Sequence, residues 1–409
     1  MDWTSNSKYL NLAIGNFIIL AFFGVLLRFM QLFPLPGGNY MFLLHAHSHF
    51  AFAGWMFFSL ALLIVHLISS RKYLSRFRTV FIFSLISAFG MLITFSMQGY
   101  KPLSIFFSTL FILVTYRFTF LVFKSGRLKR NINGVAYKLI AAALIFLCVS
   151  SAGPFALAPL TAAGFRNNPV YQDAIYFYLH FQMNGFMLLA ALGLFAAGLP
   201  PGTMEKGIRV WLGIFIFSAI PSFFIFTLWA DPPAWFWTTA LLGTFLNLVS
   251  WLNLTHHYKS EWKNLTFLER TALAAIFMKV IMQVVICIPA LGEWAFTNRN
   301  LIIGYVHLLT LGCVMPLILD QFIKRGFLVK SKSLHLINRC FVLTVLLYLG
   351  LLFTQPLLTF FSIAIPGYQL LLLAVSILFL LLGFLYYFKL RPATQTILRE
   401  EKPPLLEPV

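Results

Sequence analysis

Apolar runs of about 20 residues recur from one end of this chain to the other, the length a helix needs to cross the hydrocarbon core of a bilayer. In lipid every backbone N–H and C=O must be satisfied within the segment, so such runs fold as helices. Twelve are read, at residues 10–33, 42–69, 79–97, 102–123, 137–158, 172–199, 208–228, 234–254, 270–290, 300–323, 339–360 and 366–388. The fold class that follows is all-α, a polytopic membrane protein of about twelve transmembrane helices in a single membrane domain over residues 1–398. Charged residues make up 10% of the chain, against about 25% in soluble domains. Residues 399–409 are charged and proline-rich and read as a disordered tail.

The net charge of +19 would point to nucleic acid in a soluble protein. Here the basic residues sit in short links between apolar runs, so the bilayer is the partner and nucleic acid is not. One set of links is basic: 71–78, 124–138, 206–209, 259–270 and 324–339. The alternate set holds chiefly Lys101, Arg166 and Arg299. The positive-inside rule places the basic set, and with it both termini and the tail, in the cytoplasm; the membrane is read as a bacterial inner membrane. The first apolar run lacks a small-residue cleavage site after it and is read as a retained span. Pro34–Gly38, Pro200–Gly202 and Pro232–Pro233 punctuate the links.

Several classes of chemistry are excluded. Cys148, Cys287, Cys313 and Cys340 lie apart, and no Cys-x-x-Cys-His stretch exists for covalent c-type haem attachment. They read as small buried apolar residues. No phosphate-binding loop, nucleophile elbow or His-Glu-x-x-His helix is present, which argues against ATP-driven transport and hydrolysis.

Three stretches stand out within the apolar runs: His49-Phe-Ala-Phe-Ala-Gly54, His180-Phe-Gln-Met-Asn-Gly185 and His307-Leu-Leu-Thr-Leu-Gly312. The histidines are 131 and 127 residues apart and fall in spans 2, 6 and 10, all running the same way. Each lies about seven residues below the outer surface, about 10 Å deep. The period implies three four-helix repeats, approximately 10–123, 137–254 and 270–388. An ionisable residue inside a span is costly and marks a functional site, and neutral imidazole is a common metal ligand. Any one of the three also reads as an interhelical hydrogen-bonding residue. Each following glycine admits a close helix or a flat ligand. His45 shares a face with His49, four residues on, and His47 points away. His66, His256, His257 and His335 read as solvated or interfacial.

On these residues the chain resembles subunit I of the haem–copper oxidase superfamily. The resemblance rests on the twelve spans, the four-helix period and the histidines of spans 2, 6 and 10. It implies an electron-transfer or oxygen- or nitric-oxide-handling protein, as an enzyme a haem-dependent oxidoreductase of a respiratory chain, with a cytochrome or other redox subunit as partner. It implies a haem b held by His307 and by His49 or His45, and a copper ligand at His180, so that His49, His180 and His307 are the metal-ligating set. Span 7 lacks the family's copper-binding histidine pair, and the sixth span lacks its Pro-Glu after the histidine. The tenth span has one histidine, with Tyr305 and Leu309 at the positions two away, where the oxidases have two. The opening His45-Ala-His-Ser-His49 and the later His307–Gly312 stretch also look like the NnrS family, membrane haem–copper proteins linked to nitric oxide stress.

Arg28, Lys101, Arg166 and Arg299 are candidate propionate partners, and Gln98, Gln182 and Asn184 candidate supports for the imidazoles. Lys279 lies mid-span in the ninth run, and marks a proton path or pairs with Asp320. Trp229, Trp235, Trp237 and Trp294 suit an interfacial belt. A reading from another class is a secondary transporter or metal permease whose histidines bind a metal transiently; such proteins carry broken midplane helices and, commonly, inverted repeats.

Overall fold

The computed structural model describes residues 4–68, 71–199 and 206–390. The tail 399–409 and Pro200–Gly202 lie outside the described residues. Among these residues the fold is helical, with one isolated bridge between Leu328 and Leu390.

Helix is found at every expected run. The segments are α1 Thr4–Phe29, α2 Tyr40–Ile68, α3 Arg71–Gln98, α4 Pro102–Ser125, α5 Gly134–Ala162, α6 Pro169–Ala196, α7 Ile208–Ala230, α8 Ala234–His257, α9 Phe267–Ile286, α10 Arg299–Lys324, α11 Lys332–Phe360 and α12 Tyr368–Tyr387. Local chemistry sets their starts. Asn39, Asn133, Asn168 and Asn298 cap α2, α5, α6 and α10, each accepting a backbone N–H of the first turn. Thr266 and Glu269 form a reciprocal capping box at α9.

Ten helices among the described residues are long and apolar enough to cross a membrane, and up to eleven if the bent pair at α9 is one span. This is fewer than the twelve expected, for two reasons. The helix α8 is present, but Thr238, Thr239, Thr244, Asn247, Ser250, Asn253 and Thr255 make it polar, and it is not among the ten. The ninth run is not one straight helix. After α9 the chain bends by 111° into a short helix, Pro289–Thr297. Pro289 has no N–H to continue the ladder, the Ile288 N–H turns back to Val285, and Trp237 donates to the Cys287 carbonyl at 2.6 Å. A Cβ on Gly292 would sit 2.6 Å from the Ile286 carbonyl oxygen, so only glycine allows the fold-back.

Span 7 also breaks: α-helix to Ser218, then a 3₁₀ segment from Pro221 to Ala230. Proline again removes a ladder donor.

Contacts divide the chain into two compact units. One comprises Met1–Ser125, Gln321–Thr344 and Gly367–Val409, the other Gly126–Asp320 and Val345–Pro366. In the first, α1 packs on α12, and α3 lies between α2 and α4. In the second, α5 packs on α6, α7 on α8, and α8 and α10 on α9. The expected repeat 10–123 falls in the first unit and 137–254 in the second, while 270–388 is shared between them.

Candidate functional site

Each of the three histidines stands at the mouth of a π-helical segment. These are Ala51–Phe57 in α2, Phe181–Met187 in α6 and Leu308–Val314 in α10. Each is seven residues long and contains the glycine of its motif. The π-helix is rare, usually appears as a single widened turn inside an α-helix, and is frequent at functional sites. Hydrophobic periodicity carries no signal for it, and it is invisible in the sequence.

A widened turn shifts the hydrogen-bond register and strands a carbonyl. In the first unit Asn16, buried in α1, donates its side-chain amide to the Gly54 carbonyl at 2.6 Å. Asn16 is thus part of this site, though its own position in the sequence gives no hint of it.

In α2 the His49 ring stacks on Phe95, centroids 4.3 Å apart and 6° from parallel. Its Nε2 lies 2.9 Å from the Tyr100 hydroxyl. His45, one turn above, meets the same tyrosine edge-on at 4.7 Å. Tyr100 is carried past the end of α3 by Gly99, whose φ of +64° suits glycine alone. A Cβ at Gly24 of α1 would lie 3.5 Å from the His47 ring, so His47 faces a different neighbour, as its register predicts.

In the second unit His180 is buried, and its Nε2 donates to the Ala219 carbonyl at 2.7 Å. That carbonyl is available because α7 loses its α-helical ladder there. A carbonyl only accepts, so the hydrogen sits on Nε2 and the lone pair on Nδ1. Nδ1 faces the Asn184 side-chain nitrogen at 3.4 Å. The Asn184 carbonyl oxygen accepts from Tyr305, 3.3 Å away, and the Tyr305 hydroxyl accepts from Gln283 at 3.0 Å. A buried polar chain therefore runs His180–Asn184–Tyr305–Gln283. Lys279, one turn before Gln283 and 2% exposed, lies within electrostatic reach of His180 and Cys313. It does not pair with Asp320, which accepts the Thr266 hydroxyl at 2.7 Å.

His307 follows a third pattern. Its Nδ1 donates to the Ile303 carbonyl one turn back at 2.8 Å, and its ring meets Tyr348 edge-on. This fixes the tautomer with the lone pair on Nε2, the arrangement of a metal-ligating imidazole braced by a backbone carbonyl.

The other expected residues sort plainly. Asn184 touches an imidazole, whereas Gln182 bonds Ser150 and Gln98 bonds Ser104. Lys101, Arg166 and Arg299 are exposed and Arg28 is half-buried. Arg28 and Arg299 belong to different units, as do His49 and His307. His256, His257 and His335 are exposed, as read.

Among the described residues no group of three His, Cys, Asp or Glu is placed to hold a metal ion. His180 has one nitrogen on a carbonyl and the other facing an amide, so these residues do not fit a copper site. The tautomer of His307 does fit an axial haem ligand, and His49 fits if the Tyr100 hydroxyl turns aside. The glycines offer no open cradle. A Cβ at Gly54 would meet the Phe50 ring, at Gly185 the Phe146 side chain, and at Gly312 Leu308 and Ala275. They serve close packing.

No known family model matches this chain, and no curated protein matches it.

Proposed function

We propose that this chain is a haem-binding integral membrane protein related to subunit I of the haem–copper oxidases, acting in electron transfer or in the handling of oxygen or nitric oxide. Twelve spans in three four-helix repeats, with both termini cytoplasmic in a bacterial inner membrane, are part of the reading. The observation that carries it is the recurrence of one local structure. Three histidines, at near-equal spacing, each lead into a seven-residue π segment enclosing the same glycine.

In this reading His307 and His49, with His45 one turn away, would hold a haem b. Haem, when bound, supplies reversible one-electron chemistry at iron. The chain's own work is to hold the imidazoles. The Ile303 carbonyl keeps the hydrogen of His307 on Nδ1, and Phe95 and Tyr100 limit the rotation of His49. Arg28 and Arg299 are the propionate partners. His180 joins helices and carries no copper. Lys279, Gln283, Tyr305 and Asn184 form a segment of a proton path toward His180, and a cytochrome or other redox subunit supplies electrons. Substitution tests the ligands: His307→Ala and His49→Ala should each remove the six-coordinate haem spectrum. An unchanged spectrum in either variant overturns that ligand.

A specific observation favours a second reading, a secondary transporter. Two spans are discontinuous, α7 at Pro221 and α9 at Pro289, and the buried Lys279 lies about two turns before α9 ends. Unwound helices around a midplane charge are how transporters build a binding site. Substrate-dependent uptake by a haem-free preparation in vesicles would support it.

A further inference from the structure

Within the second unit a cavity of roughly 190 Å³ lies among α6, the 3₁₀ part of α7, α9, the short helix Pro289–Thr297 and the start of α10. Most of its wall is apolar, including Ile225, Met282 and Trp294. One end is polar, where His180, Asn184 and Tyr305 line it. The bend at Pro289 makes it, by turning the short helix across the space that a straight ninth span would leave to lipid.

Size and chemistry limit the occupant. A dry apolar cavity of about 150 Å³ accepts benzene, so this one holds a single ring with a small substituent. Its polar end has unused capacity. One amide hydrogen of Asn184 is given to His180, and the other has no partner among the described residues. The Tyr305 hydroxyl oxygen, accepting from Gln283 and donating to Asn184, keeps a second lone pair. A guest that both accepts and donates would satisfy the pair. Access is from the side: Val285, Leu291 and Ile302 line the cavity and are 38%, 40% and 39% exposed on the apolar surface.

We infer that this cavity is a binding site for a lipid-soluble, single-ring molecule bearing one hydroxyl, of the phenol class, with its ring against Trp294 and its hydroxyl between Asn184 and Tyr305. The site uses neither His49 nor His307 and stands whether or not haem is bound.

The test uses the full chain in detergent and 4-iodophenol, whose iodine quenches nearby tryptophan fluorescence. A saturable quench is expected, distinct from the linear quench of partition into the micelle. Ala295→Phe fills the cavity and should abolish the saturable part. Tyr305→Phe removes one neutral hydrogen bond and should weaken binding about three- to tenfold. Iodobenzene, without the hydroxyl, should bind more weakly by a similar factor. Far-ultraviolet circular dichroism and elution volume establish that each variant is folded, and where Ala295→Phe fails this, Ala295→Leu replaces it. A purely linear quench in the wild type, or a saturable quench that survives filling, overturns the site. Equal binding of iodobenzene and 4-iodophenol overturns the phenol class.

Discussion

The histidine turns of α2 and α6 share a motif and a backbone, yet use their imidazoles differently. His180 is buried and bonded through Nε2 to a carbonyl that the break in α7 leaves available. His49 is half-buried, stacked on one ring, and bonded to a hydroxyl that rotates. The first imidazole is a fixed strut and the second an adjustable group. A local motif therefore sets where a histidine stands and how its helix widens, and the neighbouring helices decide what the ring does.

The largest expected effect that separates the two is on stability. Among the described residues, His180→Ala leaves the Ala219 carbonyl with the Ser222 hydroxyl at 3.2 Å and opens a void among Phe181, Phe223 and Phe226. A loss of about 2–4 kcal/mol is expected, read as a lowered melting temperature in detergent. His49→Ala should lower it far less. Equal losses would erase the distinction.

The motif glycines sharpen the comparison. A Cβ at Gly185 would stand 2.7 Å from the Phe146 Cβ, close to the backbone of α5, which must move. At Gly54 the nearest atoms are the far edge of the Phe50 ring, side-chain atoms that can shift without moving backbone. Gly185→Ala should cost about 1–3 kcal/mol and Gly54→Ala under about 1 kcal/mol, measured by the same melts.

The smallest effect is at Tyr100. The residue is 57% exposed, so Tyr100→Phe should change stability by less than about 1 kcal/mol. If His49 holds iron, the same change should alter the haem spectrum. A Tyr100→Phe melt shifted as far as that of His180→Ala would make the α2 imidazole a strut as well.

Much of the fold was legible because a bilayer admits few solutions. Apolar length alone placed each helix near its observed position. The sequence also held the two breaks, in Pro221 and Pro289, but proline in a membrane helix is often tolerated, and the 111° bend depends on Gly292 and Trp237 acting together. The helix α8 stands where apolar length puts it, but its polar residues dilute the run, so it is not among the ten long and apolar enough to cross a membrane. For the site, the histidine register was legible and the partners were not. Asn16 reaches Gly54 across 38 residues and Tyr305 reaches Asn184 across 121, and no local pattern encodes such pairings. The π segments were hidden for a different reason: they are a backbone register shift that side-chain periodicity does not record.

The most direct test of the proposed function is a reduced-minus-oxidised visible spectrum of the detergent-purified protein, expressed with ample haem. The account predicts sharp α and Soret bands of a six-coordinate b-type haem. A colourless protein would contradict it and favour the transporter reading.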